Sequence, residues 1–380
     1  MRHTANKFLV PFRLQVPIRI LSNWLIKGIS KATLPVKKQL IMSKFTKKKA
    51  FIGVDISKDT LDFSILLDSD PQSFEDKQVS NSFSGFSKIE KWLSSKPFAL
   101  NECLFCMEHT GTYGLLLFAW LSQLEVDYVV EPALRIKRSM GMARGKNDRV
   151  DARRIADYAY TNRTKLKPFV MPSSLLLQIK QLLTYRDQLT RMSTSLKNSL
   201  KNHREYEQVI GSTSITESIT GQIDDIQTKK EDIDRQIKEL IQSDKELNKN
   251  YNLVKSVKGI GLMIAAYMLV TTHNFTSFEN GRKYACYSGI APFEHTSGSS
   301  IRGQTRVSHL ANKRIKTLLS NGANSACKWD PDLRAYYKRK TGEGKDHNLV
   351  INSISCKLVN RVFAVIKRQT PYVTMYAQNF

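Results

Sequence analysis

The chain has 380 residues, 41% hydrophobic and 24% charged, which are the proportions of a globular protein with a substantial core and room for two or three domains. Its charge is lopsided. Lys and Arg number 59 against 34 Asp and Glu, a formal net charge of +25 spread over the whole length, so a polyanion is the expected partner, nucleic acid first. No uncharged apolar run reaches the ~18 residues needed to span a bilayer, which sets a membrane aside. Five cysteines, an odd number in a long chain, give no disulfide framework and suit a reducing compartment such as the cytoplasm.

The first stretch is unlike the rest. Residues 1–48 contain no acid, and Arg2, Lys7, Arg13, Arg19 and Lys27 alternate with apolar residues, Pro11, Pro17 and Pro35. This resembles a basic amphipathic or transit-like extension, but it has no consistent apolar core or cleavage pattern. Met42-Ser43-Lys44 is therefore the preferred start of translation, with the folded pattern beginning near Phe51.

From about 49 to 167 the pattern is mixed. Phe51 to Asp55 reads as an apolar strand ending in an acid, and Thr60 to Leu67 as its hairpin partner, so Asp55 falls mid-sheet. A third strand is expected over Gln78–Phe83 and a helix over Phe86–Leu93. Cys103 to Glu108 is a buried-strand run that again ends in an acid. Its Cys103 and Cys106 have knuckle spacing but no second pair or nearby His, and so read as core. A helix over Leu115–Leu124, a strand over Asp127–Val130 and a helix from Asp151 to Tyr160 complete the domain.

Asp148 and Asp151 stand one turn apart at the start of that last helix, where the dipole favours negative charge. By themselves they read first as capping acids among Arg144, Lys146, Arg149 and Arg153, since structural ion pairs outnumber catalytic ones. Taken with Asp55 and Glu108, they form four carboxylates at strand ends and a helix start, on the edge where ligands of α/β sheets bind. Convergent carboxylates need cations. All-oxygen donors suit two Mg²⁺ or Mn²⁺ ions, a set that supports phosphoryl transfer on a nucleic-acid backbone, with Arg149 and Arg153 contacting the strand being cut.

Three fragments in order carry a resemblance: Gly53-Val54-Asp55-Ile56-Ser57-Lys58, Glu108-His109-Thr110-Gly111-Thr112-Tyr113 and Lys146-Asn147-Asp148-Arg149-Val150-Asp151-Ala152. Together they resemble the DEDD insertion-sequence transposases, whose first domain is RuvC-like and of ribonuclease-H type. The resemblance implies that Asp55, Glu108, Asp148 and Asp151 hold the metal.

Beyond Pro168 and Pro172, Leu175, Leu182, Leu189 and Leu196 recur every seven residues, and Ile226, Ile233, Leu240 and Leu247 form a second series after Gly211-Ser-Thr-Ser214. This spacing predicts two long helices over 168–250, folded back as an antiparallel coiled coil or shared between subunits, and hence an oligomer. The C-terminal domain, 251–380, opens on Lys258-Gly259-Ile260-Gly261 before an apolar helix. Such a turn leaves N–H groups free for a phosphate, as in helix-hairpin-helix DNA binders, though glycines at helix starts are common. Farther on, His295-Thr-Ser297-Gly-Ser299-Ser300-Ile-Arg302-Gly-Gln-Thr-Arg306 reads either as a flexible loop or as a nucleophile on a strained turn, with Arg302 and Arg306 supplying charge. The helices over Asn312–Ser325 and Leu349–Ile366 carry basic faces, and Trp329 with Tyr336-Tyr337-Lys338-Arg339-Lys340 joins aromatic to cationic groups. Such a mixture suits single strands or folded RNA, or is a solvated surface.

Gly289-Ile-Ala-Pro292 followed by Ser297-Gly298-x-Ser300-x-Arg302-Gly303 resembles the second domain of the same transposases. There the serine before the glycine is the nucleophile, which implies Ser297; composition alone does not separate it from Ser299 or Ser300. The resemblance further implies attack of Ser297 on a DNA phosphodiester, an acidic site on another subunit, a dimer or tetramer, and a structured guide RNA that selects target and donor. It also places the protein in the bacterial cytoplasm, at the nucleoid when bound. The fold class expected is α/β plus α: a RuvC-like mixed sheet, a coiled coil and a mainly helical C-terminal domain. A DNA invertase at a fixed locus and an inactive nucleic-acid-binding remnant are the alternatives.

Overall fold

The structure is a computed structural model that describes residues 45–139, 147–211, 214–297, 301–308 and 310–373, with 294–297, 301, 302, 304 and 305 described by their backbone alone. Residues 1–44 of the basic extension, the start at Met42, Arg144, Lys146, Ser299 and Ser300 lie outside the described residues; the extension's last residues belong to the fold, with Phe45 buried in its core and Lys48 paired with Asp127 at 2.7 Å. The chain divides into two compact units, Met1–Met171 and Pro172–Phe380.

The first unit is built on β1 (Ala50–Ile56), β2 (Thr60–Leu67), β3 (Asp70–Ser80), β4 (Cys103–Glu108) and β5 (Asp127–Glu131). Their order is β3-β2-β1-β4-β5. The hairpin strands β1, β2 and β3 pair antiparallel, while β4 and β5 join parallel through helices, giving the mixed sheet expected. The third strand runs 70–80 rather than 78–83. Its polar residues are mostly exposed, so apolar periodicity could not mark it. Strand alternation sends Ala50, Ile52, Val54, Phe105 and Met107 to one face, where they pack under α1 (Phe83–Ser94) and α2 (Leu115–Gln123). The opposite face carries Phe51, Leu66, Leu104 and Cys106 against α3 (Ala133–Ser139) and α4 (Asp148–Asn162). Cys103 and Cys106 are fully buried free thiols of that sheet, and burial pushes the Cys103 thiol up to about 12.

The second unit begins with α5 (Ser174–Ile210) and α6 (Ser214–Ser243), two consecutive long helices packed side by side. Ile226, Ile233, Ile237 and Ile241 line α6. On α5 the buried apolar residues are Leu176, Ile179, Leu183 and Leu189; of the predicted heptad leucines Leu189 is therefore buried, while Leu175, Leu182 and Leu196 are only partly buried. The offset has a cause: α5 is covered by α8 (Leu262–Thr271) as well as by α6, so its apolar face is wider than a two-helix seam. One core runs from these helices through α7 (Lys245–Lys255), α8, α9 (Gly281–Tyr287), α10 (Lys313–Trp329) and α12 (His347–Arg368), with α11 (Pro331–Gly342) against α10 and α12. By length and composition α12 is apolar enough to cross a bilayer, but half of its most apolar window is buried, and Ile354, Leu358 and Val362 are fully enclosed in that core.

Candidate acidic and serine sites

In the first unit the site rests on one close approach. Gly53, two residues before Asp55, meets α4: a Cβ built on it would lie 2.1 Å from the Ala152 carbonyl oxygen and 2.3 Å from the Ala156 nitrogen. Only glycine lets the helix seat so deeply on the central strand. Asn147 caps α4 by accepting from the Arg149 amide at 3.0 Å, which puts Asp148 and Asp151 in the first turn. On the sheet, Asp55 shares the α4 face with Gly53, and Glu108 shares it with Cys106.

The electrostatics match this placement. Burial raises the Asp55 carboxyl from 3.8 to about 6, with further upward pushes from Asp148, Asp151, Glu108 and Asp62. Burial and then Asp151 raise Glu108 as well. All four predicted acids are therefore electrostatically coupled around Asp55. Asp62 was not anticipated. It is the register partner of Asp55 across the hairpin, is 7% exposed, and accepts from Gln78 Nε2 at 3.0 Å on each oxygen. The signal for it was an acid in strand alternation with Ser64 and Leu66. An open cleft of about 420 Å³ lies between Asp62, Asp76, Lys77 and Gln78 on the sheet and Asn147, Asp148 and Arg149 on the helix, so that of these acids Asp62 and Asp148 line it.

Arg149 and Arg153, expected on the nucleic-acid backbone, both bind Asp76 of β3. Arg149 Nε donates to Oδ2 at 2.6 Å and Arg153 Nε at 2.9 Å, while Ser64 donates to Oδ1 at 2.9 Å. Despite its burial, those donors hold Asp76 below the usual carboxylate range. The two arginines thus anchor α4 to the sheet edge, and Arg149 remains 61% exposed. Asp151 has its own cation, Arg154 Nη1 at 2.8 Å. Asn81 ties the rim together, its Nδ2 reaching the carbonyls of Ser57 at 3.1 Å and Tyr113 at 3.0 Å. Thr110 Oγ1, just past Glu108, is buried without a hydrogen-bond partner.

Among the described residues no group of three or more His, Cys, Asp or Glu side chains is set up to hold a metal ion. The donor chemistry nonetheless fits a hard cation: every acid offers oxygen only, and the neighbouring acids push the Asp55 carboxyl upward, whereas arginines hold Asp76 down.

In the second unit, the segment read as a loop or strained turn is a two-stranded hairpin, β6 (Pro292–Ser297) with β7 (Ile301–Val307). Ser297 pairs with Ile301 and so stands at the tip, and Arg302 pairs with Thr296 beside it. Arg306 pairs with Phe293 at the far end, which at ~3.4 Å per residue leaves it roughly 15 Å from the tip. The hairpin's root is braced from α12, where Asn352 Nδ2 donates to the Ile290 carbonyl at 2.7 Å. Asn312, capping α10, donates through its backbone N–H to the Tyr287 carbonyl at 2.9 Å.

The Lys258-Gly259-Ile260-Gly261 turn joins α7 to α8. Gly259 has φ +92°, and a Cβ there would stand 2.5 Å from the Gly322 carbonyl oxygen, so this glycine answers to packing against α10. Gly261, the N-cap of α8, faces open space.

Comparison with known proteins adds the family. A model described as "Transposase", for DEDD enzymes of the IS110 type, matches residues 52–204, and one described as "Transposase IS116/IS110/IS902 family" matches 251–338. The chain belongs to the IS110 family of transposases. The first match contains all four acids, and the second contains Ser297 with its hairpin. A pilin gene-inverting protein of Moraxella bovis is 27% identical over 337 residues, 85% of this chain and 98% of that relative. A 43.6 kDa protein of insertion element IS110 from Streptomyces coelicolor is 31% identical over 120 residues, 32% and 29% of the two chains. The transposase for insertion element IS1111A of Coxiella burnetii is 24% identical over 254 residues, covering 60% and 68%.

Proposed function

We propose that this IS110-family member is a DNA transposase that cuts and rejoins strands with two sets of groups: the carboxylates of Asp55, Glu108, Asp148 and Asp151, and the hydroxyl of Ser297. The observation that carries this is the crowding of Asp148, Asp151, Glu108 and Asp62 around a half-buried Asp55, which raises its carboxyl even though Arg154 pairs with Asp151. Such charge is held together for a purpose, since repulsion costs stability. Asp55, Glu108, Asp148 and Asp151 would hold one or two Mg²⁺ or Mn²⁺ ions, which when bound neutralise charge on the phosphate's oxygens. The chain's own part is to fix those oxygens in place, with Gly53 seating α4 and Asp76 locking Arg149 and Arg153.

Ser297 at a hairpin tip is presented for attack on a phosphodiester. Its oxygen forms the new P–O bond, the leaving strand departs with the displaced oxygen, and the reverse attack by a strand end frees the serine. Arg302, adjacent in register, supplies positive charge there, while Arg306 at the hairpin's other end contacts DNA away from the reacting phosphate. Lys258 and the open Gly261 offer a backbone-phosphate contact. Because α5 and α6 pair with each other within the chain, protomers would join through the faces those helices leave exposed, and a structured RNA directs the choice of site. Inversion at a fixed locus is the second reading, favoured by an alignment that spans 98% of a pilin gene-inverting protein.

Plasmids carrying the element's ends test this. The parent recombines them in Mg²⁺, and Asp151→Ala and Ser297→Ala do not. Activity that survives chelation removes the role of the acids, and activity of Ser297→Ala with loss in Ser299→Ala or Ser300→Ala moves the nucleophile. Inverted products alone, without insertion into new sites, select the invertase.

A further inference from the structure

In the second unit, the corner between α10 and α11 is rigid yet carries a large bare aromatic. Trp329, the last residue of α10, is 72% exposed. Its neighbour Asp330 is fully buried: its backbone N–H donates to the Ala326 carbonyl at 2.8 Å, its Oδ1 caps α11 by accepting from the Leu333 amide at 3.0 Å, and its Oδ2 pairs with Arg361 of α12 at 2.6 Å. Arg334, one turn into α11, reaches back to the carbonyls of Cys327 and Lys328, the two residues before Trp329. The indole therefore projects from a braced backbone, with a fixed guanidinium at its foot.

The surroundings are cationic. Between 328 and 340 the chain has five basic residues (Lys328, Arg334, Lys338, Arg339, Lys340) against two acids, and Arg361 lies within reach of both of those acids. A Trp this exposed adds little to folding, because it buries little apolar area. Charge decides what covers it. The held Arg334 guanidinium puts a cation beside the exposed π face, with Lys328 and Lys338 close in sequence, while Arg339 and Lys340 pair with Glu343. Such a face suits a polyanion that has π faces of its own. In a duplex those faces are already stacked, so the fit is to unpaired bases.

We propose that Trp329 is a stacking platform for an unpaired base of a single nucleic-acid strand, whose backbone runs over Arg334 and Lys338. This deepens the reading of the chain as a nucleic-acid enzyme and names a contact remote from the carboxylates. The strand is either a melted DNA end or unpaired RNA, which share this chemistry.

The test is equilibrium binding of a short unstructured oligonucleotide, as DNA and as RNA, beside a DNA duplex of the same sequence, all in chelator. Trp329→Ala weakens single-strand binding about 5- to 150-fold, the range of one base stacked on an aromatic ring, and leaves duplex binding unchanged. Trp329→Phe keeps most of the affinity, and the melting temperature of Trp329→Ala matches the parent. A loss confined to the RNA arm or to the DNA arm assigns the strand. Single-strand binding by Trp329→Ala equal to the parent's, or an equal loss on single strand and duplex, overturns the proposal. Because no acid of the first unit takes part without metal, failure here leaves the carboxylate site untouched.

Discussion

Asp55 concentrates the chemistry of the first unit in one side chain. Its carboxyl titrates near 6 in the folded chain against 3.8 ordinarily, so between those values the folded state binds more protons than the unfolded one. Stability of the unit therefore falls as pH rises from about 4 to about 6 and then levels off. Asp55→Asn removes the repulsion. In chelator it melts above the parent at pH 8 and level with it near pH 3.5, while recombination is lost; a calorimetric scan at the two pH values checks the sign. Gly53 is the other decisive residue, and here the cost is steric. Gly53→Ala forces its methyl into the Ala152 carbonyl, lifts α4 and costs about 1–3 kcal/mol or more, seen as a lowered melting temperature together with lost activity. Unchanged stability in that variant would mean that α4 does not sit on β1 as described.

At the scale of elements, α4 is held by an anchor that linear sequence hid. Asp76 is 5% exposed and gathers Arg149 and Arg153. Asp76→Ala, by freeing both, lowers stability by about 1–2 kcal/mol, a figure discounted for the exposure of the arginines, and weakens Mg²⁺ binding by displacing Asp148 and Asp151. Since Asp76 titrates below its usual range, its contribution is present above about pH 4 and fades as pH falls through and below that value. A urea titration of parent and Asp76→Ala at pH 7 and pH 3 resolves both effects. The strands carrying Asp55 and Glu108 were legible because apolar alternation and a terminal acid are local signals, and so was α4, although it starts at Asp148, earlier than the expected Asp151. Asp76 was not, because its partners lie 73 and 77 residues farther along and its strand is polar and exposed. In the first half of α5 the buried row is offset by one residue from Leu175 and Leu182, though Leu189 is buried as expected, for a related reason: heptad spacing reports one partner helix, and α5 has two.

Across the whole molecule, the charge of +25, the acids of the first unit and the serine hairpin of the second belong to one kind of protein, and the family matches cover both units. The hairpin at 292–307 escaped sequence reading because serine and glycine mark loops by composition, while its strands are held by a root that α10 and α12 brace from far along the chain. The most direct test of the division of labour is to trap the reaction on labelled DNA carrying an element end, digest the protein and map the adduct by mass spectrometry. In Mg²⁺ the parent should carry the DNA on Ser297, and Asp55→Asn should carry none. An adduct on another residue, or one that forms equally well in chelator, would contradict it.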